Sequence, residues 1–194
     1  MKNVNQNGRS MVEMLGVLAI IGVLSAGGLA GYSKAMFKHK LNTTMDQITM
    51  LVTNIRTMYG AQGNYNNLAV DAADLGIIPA VMGNTVSTLT NPFKGAVEIL
   101  ESTTNGNSNS AVKTALGSTA TAFVVSYKGL PKEACIALAT ADFGSGAGSG
   151  FIGVEIGAGQ AASKVVGANE GKAYEMSDAI TNCTEQATVS WKFY

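Results

Sequence analysis

The stretch GRSMVEMLGVLAIIGVLSAGG, residues 8–28, decides the fold, because it is almost purely apolar yet carries an acid, Glu13, near its start. From Met14 to Ser33, twenty consecutive residues carry no charge and are rich in Leu, Val, Ile, Ala and Gly. A helix of that length is about 30 Å long, which is the thickness of the hydrocarbon layer of a bilayer. The sequence therefore predicts a membrane-spanning helix over residues 14–33, with a carboxylate that an ordinary anchor does not need.

The helical pattern continues beyond the membrane-spanning run. Apolar residues recur there at three- and four-residue spacing, which is typical of a helix with one buried face: Leu41, Met45, Ile48, Leu51, Val52, Ile55 and Met58. Gly60 is expected to end the helix in the left-handed conformation. We therefore predict one helix of about fifty residues over 10–59, apolar all round in its first half and amphipathic in its second.

The rest of the chain, residues 61–194, is expected to form a single head domain. Short runs with period-two alternation predict strands at 95–102, 121–128, 150–157 and 187–194. Two helices are predicted at 131–140 and 173–183, and Asn-Gly in 103–110 indicates a turn. The predicted class is α+β, with an antiparallel sheet packed on the long helix.

A cleavable signal peptide is the competing interpretation of the front of the chain, with a cut near Ala26 or Ala30. Glu13 and the length of the apolar run argue against it. Basic residues flank the run on both sides, so the positive-inside rule leaves the orientation open: Lys2, Arg9, Lys34, Lys38 and Lys40.

The two cysteines, Cys135 and Cys183, are the only pair in the chain. In an oxidising compartment they are expected to form a disulfide, which would stabilise the fold by about 4 kcal/mol on the chain-entropy estimate. Two buried free thiols are the alternative.

Composition and motifs give little support for an enzyme or a nucleic-acid binder. Lys plus Arg equals Asp plus Glu, at 13 each, so the positive excess that nucleic acids attract is missing. The segment GSGFIG, residues 148–153, matches the dinucleotide-binding pattern but lacks the helix that must follow it. With one histidine, His39, and widely spaced cysteines, we predict no catalytic site, no metal site and no cofactor.

The front of the chain resembles the processing site of type IV prepilins: Gly8, a short polar junction, Glu13 and then the apolar run. The resemblance implies that a membrane peptidase cuts between Gly8 and Arg9 and methylates the new amine of Arg9, where the family usually has Phe or another apolar residue. It also implies that Glu13, the fifth mature residue, pairs with the N-terminal amine of a neighbouring subunit during assembly.

The head resembles that of type IVb pilins in NYNNLAVDAADLGIIPAVM, YKGLPKEACIAL and NCTEQATVSWKFY. The resemblance implies a leader at 1–8, a long helix at 9–60, a head at 61–194 and a disulfide between Cys135 and Cys183. It further implies a structural subunit held in the bacterial inner membrane, with its head in the periplasm, before it joins an extracellular pilus. Its partners would be copies of itself, the peptidase and the assembly machinery. A minor pilin, a pseudopilin of a secretion system or a membrane-tethered binding module are the alternatives.

Overall fold

The computed structural model describes residues 11–102, 120–144, 150–157 and 173–194, in two compact units that meet in sequence between His39 and Lys40. The helices within these ranges are α1 (Met11–Tyr59), α2 (Leu68–Asp71), α3 (Lys132–Ala139) and α4 (Met176–Asn182), with a 3-10 turn at Val86–Thr88. The strands are β1 (Val97–Ser102), β2 (Ala122–Leu130), β3 (Phe151–Gly157) and β4 (Ala187–Phe193). The α+β class expected from the sequence is confirmed.

Helix α1 is long because no proline interrupts residues 11–59 and because its apolar residues are helically spaced. In the second unit the predicted stripe is buried in the head core at Ile48, Leu51, Val52 and Ile55. The last position differs from the prediction. Met58 is exposed, and Tyr59 occupies the core instead.

The end of α1 also differs from the expectation for Gly60. The amide of Gly60 donates a hydrogen bond to the carbonyl of Arg56 at 2.8 Å, so it continues the helical pattern by one bond. The left-handed residue is Gly63, with φ of 66°, after a further turn. The helix therefore ends at Tyr59 as predicted, but four residues before the left-handed glycine, Gly63.

The four strands form one antiparallel sheet in the order β1-β2-β4-β3. The register places Ile99 opposite Val125, Val125 opposite Trp191, and Trp191 opposite Val154. All four residues of this row are buried in the cluster that contains the inner face of α1. The core of the head thus lies between the sheet and the second half of α1.

The central strands are buried on both faces, which their alternating sequence did not predict. On the face away from the core, the hydroxyls of Ser126 and Ser190 lie 2.8 Å apart. Lys192 on the same face of β4 is 1% exposed. Burial of the two serine hydroxyls is compatible with stability because they are hydrogen-bonded to each other.

The predicted strands and the helices at 131–140 and 173–183 are confirmed in place, each with ends shifted by three residues or fewer. The turn predicted at 103–110 lies outside the described residues. Helix α2 was not predicted, since four residues are too few for a periodic signal.

We expect Gly95→Ala to destabilise the head, because a Cβ at Gly95 would overlap the carbonyl oxygen of Lys128 on β2. Overpacking of this kind lowers the free energy of unfolding by about 1–3 kcal/mol. Gly153→Ala is the matched control, because no atom of the described residues lies within 4 Å of a Cβ there and the change should stay within about 0.5 kcal/mol. Urea unfolding followed by the fluorescence of Trp191 measures both, and equal midpoints would contradict the packing argument.

Candidate assembly surfaces

The first candidate surface is the front segment, defined as residues 11–33 of α1. Its large apolar side chains face solvent, and eight of them are 60–75% exposed: Val12, Leu15, Leu18, Ile20, Val23, Leu24, Leu29 and Tyr32. Within the described residues, α1 is the one helix long and apolar enough to cross a membrane. A surface of this size and polarity needs either a bilayer or a protein partner to cover it.

Glu13 lies in the first turn of α1, with an exposed side chain. A carboxylate there is favoured by the positive end of the helix dipole. The residues one turn farther along the same face are Gly16 and Val17, so no cation of the described helix stands beside it on that side. Gly8 and Arg9, predicted to flank the cut, lie outside the described residues.

Five glycines interrupt the apolar surface of the front segment. A Cβ at any of them would meet nothing within 4 Å: Gly16, Gly22, Gly27, Gly28 and Gly31. They leave shallow gaps between the larger side chains. In an apolar environment, small residues let the backbones of packed helices approach closely. The front segment is therefore suited to contact with other helices.

The head carries a disulfide between Cys135 in α3 and Cys183, the residue after α4, with the Cα atoms 5.8 Å apart. Both residues are buried and their sulfurs are bonded to each other, so the alternative of free thiols is wrong. The bridge joins α3 to the segment that leads into β4. The chain between the two cysteines contains β3, which pairs with β4 at one side of the sheet.

The structure adds exposed apolar residues of the head that the sequence reasoning missed. Met176 and Ile180 on α4 are 58% and 49% exposed. Val70 in α2 and Val81 after it are also exposed. The four-residue spacing of Met176 and Ile180 was the one available sequence signal, because it places them on one side of a helix.

Three other charged groups of the head are partly or fully buried and belong to the fold. Burial lowers the pKa of Arg56, whose guanidinium carbon lies 5.4 Å from the ring centroid of Phe193. Burial also lowers the pKa of Lys192. At Glu101, burial raises the pKa, while hydrogen bonds from backbone amides at the start of α2 act against that shift.

The described residues offer no arrangement typical of catalysis or metal binding. No three His, Cys, Asp or Glu side chains among them converge in a way that could hold a metal ion. In the segment 148–153, the part from Phe151 onward begins strand β3, where a dinucleotide site requires a helix.

Comparison with known proteins identifies the family. The sequence model of bundlin matches residues 34–192, which is most of the chain. The chain belongs to the bundlin family. The match begins after the front segment, so it rests on the second half of α1 and on the head rather than on the predicted processing motif.

The curated relatives agree with this assignment. The chain is 26% identical over 146 residues to the major structural subunit of the bundle-forming pilus of Escherichia coli O127:H6 (strain E2348/69 / EPEC). A subunit with the same description from Escherichia coli O111:H- has the same identity and length of match. Each match covers 73% of this chain and 68% of the relative.

Two solved structures are similar. One is TcpA, a type IV pilin from Vibrio cholerae El Tor biotype, with a TM-score of 0.49, 16% identity, and coverage of 80% of this chain and 99% of that chain. The other is a type IVb pilin from Salmonella typhi, with a TM-score of 0.48, 17% identity, and coverage of 77% and 97%.

The resemblance to type IV pilins seen in the sequence is thus confirmed, and this bundlin-family chain is a type IV pilin. Pilins are structural subunits of filaments, so the chain is not an enzyme. The predicted disulfide is confirmed as well.

Proposed function

We propose that this chain is a subunit of a type IV pilus that is cut after Gly8 and polymerises through its front segment. The observation that carries the proposal is the exposed apolar helix with a single acid at its start. In a filament, the front segments of many copies would pack against one another and cover the apolar surface. The glycine gaps favour this, because they permit close helix contacts.

Before assembly, the front segment would hold the subunit in the bacterial inner membrane with the head in the periplasm. The disulfide supports that orientation, because such bonds persist in oxidising compartments. Extraction from the bilayer exchanges lipid contacts for helix contacts and needs work, which the assembly machinery would supply. The finished subunit lies in the extracellular pilus.

The role of a major subunit is the form of this proposal that the relatives favour. The Escherichia coli relatives are described as major structural subunits of the bundle-forming pilus. We extend that role to this chain. The disulfide also favours a pilin over a pseudopilin, a class that often lacks it. The exposed head would then support adhesion, aggregation, motility or conjugation.

We expect the filament-associated chain to begin at Arg9, with or without an added methyl group on its amine. Intact mass and N-terminal sequencing of surface filaments released by shearing measure this directly. A start near Gly27 or Gly31 would instead identify an ordinary signal peptide and would overturn the filament proposal.

Gly8→Ala tests the cleavage site itself. It should leave the uncut precursor in the membrane and give no filaments, because the prepilin peptidase is expected to cut after a glycine. Gly16→Ala is the matched control, since it changes a glycine of α1 whose Cβ position is open, and it should be processed normally. A normally cut Gly8→Ala chain would contradict the proposed site.

A further inference from the structure

A solvent-open cleft of about 290 Å³ lies in the head, where β1 and β4 begin and β2 ends. Lys40 of α1 forms one side of it, with Nζ 5.9 Å from the ring centroid of Phe93. Lys94 lines the cleft beside that ring, and Glu185 lines it from the segment before β4. The lining of the cleft therefore includes two lysines, one glutamate and an aromatic residue.

One wall of the cleft is a turn that the side chain of Asn91 fixes. Its carbonyl oxygen accepts hydrogen bonds from the amides of Phe93 at 2.9 Å and Gly95 at 3.0 Å. Its amide group donates to the carbonyl of Lys128 on β2 at 2.8 Å. Lys94 is held in the left-handed region with φ of 68°, which an L residue adopts only where its surroundings enforce it.

Another part of the lining lies close in sequence to the two bridged cysteines. Glu185 and Gln186 follow Cys183 closely, and Pro131 lies directly before α3, which contains Cys135. Gln186 is also left-handed, with φ of 59°. Two of the three such non-glycine residues in the described part of the chain thus line this one cleft. Backbone strain concentrated in this way is typical of binding sites.

The chemistry of the lining specifies the class of ligand. Two lysines suit a phosphate group, whose oxygens accept hydrogen bonds from ammonium donors. The carboxylate of Glu185 and the amide of Gln186 suit hydroxyl groups on the same ligand and disfavour a second negative charge beside them. A phosphodiester with a hydroxyl-bearing headgroup meets both requirements.

The first lining residue of the cleft follows the uncharged run closely in sequence. Lys40 follows Ser33, the last residue of the uncharged run, by seven positions. Seven residues span about 10 Å as a helix and at most about 25 Å when fully extended, whatever orientation the head takes. The headgroup layer extends roughly 5–8 Å beyond the hydrocarbon on each side of a bilayer.

We propose that this cleft binds the phosphodiester headgroup of an anionic membrane lipid while the subunit is held in the bilayer. The inference rests on the proposed function, because it requires a membrane-inserted precursor. It adds a lipid site on the head to a protein otherwise anchored by its apolar helix. The site would hold the head against the membrane surface, and assembly would release the lipid.

The test uses the full-length precursor in nanodiscs of phosphatidylcholine alone, or of phosphatidylcholine mixed with phosphatidylglycerol. The rate at which each lysine amine is acetylated is measured by mass spectrometry. We expect phosphatidylglycerol to slow acetylation of Lys40 and Lys94 at least about fivefold, which corresponds to an effective lipid concentration of at least about four times the dissociation constant. Lys132, an exposed lysine outside the cleft, should react equally in both membranes. Equal slowing at Lys132 would indicate diffuse attraction and overturn the site.

Variants and a free ligand complete the test. Lys94→Gln should abolish the lipid-dependent protection of Lys40, whereas Lys132→Gln should preserve it; protection retained in Lys94→Gln overturns the proposal. Protection of Lys94 by free glycerol phosphate in phosphatidylcholine discs would assign the cleft to a soluble ligand instead. Protection only in filaments would assign it to an acidic surface of a neighbouring subunit.

Insertion is measured separately by co-elution of the chain with the discs. A chain that co-elutes without protection of Lys94 overturns the lipid site alone. A chain that does not co-elute overturns the membrane-bound precursor as well.

Discussion

Glu13→Ala is expected to abolish filaments made from the variant alone, while the chain is still cut and retained in the membrane. A bare carboxylate in a bilayer costs several kcal/mol, and a cation at about 4 Å returns about 4 kcal/mol at an intermediate dielectric. The described helix provides no cation one turn beyond Glu13, where Gly16 and Val17 stand. The amine of a neighbouring copy would then be the partner, and alanine removes the attraction that brings two copies into register.

Electron microscopy and the yield of sheared filaments measure the effect. Asp46→Ala is the matched control, because it removes an exposed acid from the same helix beyond the front segment and should leave filaments normal. Glu13→Gln separates charge from size and should behave like alanine. Filaments of wild-type yield from either Glu13 variant would contradict the pairing.

Co-expression of Glu13→Ala and wild-type subunits provides a second test of the same pairing. A Glu13→Ala subunit still offers its own N-terminal amine, so it should enter filaments when wild-type subunits supply the carboxylate. Exclusion from mixed filaments would instead point to a defect in folding or processing.

Much of the fold follows from local signals that the sequence carries strongly. The uncharged run after Glu13 and the helical spacing of Ile48, Leu51 and Ile55 predicted α1, because neither signal depends on distant parts of the chain. The strand order did not follow, since the sequence does not reveal that β4 lies between β2 and β3. Burial of Ser126 and Lys192 was also hidden, because alternating polar residues normally indicate a solvated face.

The candidate sites also differ in whether the sequence alone reveals them. Glu13 can be identified from the sequence alone, because a charge beside a long apolar run is energetically unfavourable unless a partner of opposite charge compensates it. Cys135 and Cys183 were the only pair available. The cleft beside Lys40 could not be predicted, because its lining comes from four separate parts of the chain that only the sheet register and the disulfide bring together.

Loss of the disulfide is expected to be the largest stability effect in the head. The bond closes a loop with a sequence separation of 48, and the chain-entropy estimate for such a loop is about 4 kcal/mol. We therefore expect Cys135→Ser combined with Cys183→Ser to lower the midpoint of thermal unfolding by ~10 °C. The double substitution is preferred to a single one because it leaves no unpaired thiol to form dimers.

Reduction of the wild-type chain provides the matched comparison. Reduced wild type and the double variant should unfold alike, and reductant should leave the double variant unchanged. Hydrogen exchange should rise first in the segment from Glu185 to Gln186 and in β3, because the bridge anchors the chain before β4 and closes the loop that contains β3. Wild-type midpoints that do not respond to reductant would contradict the stabilising role of the bridge. Uniform exchange across the head would instead mean that the bridge stabilises the whole domain as one cooperative unit.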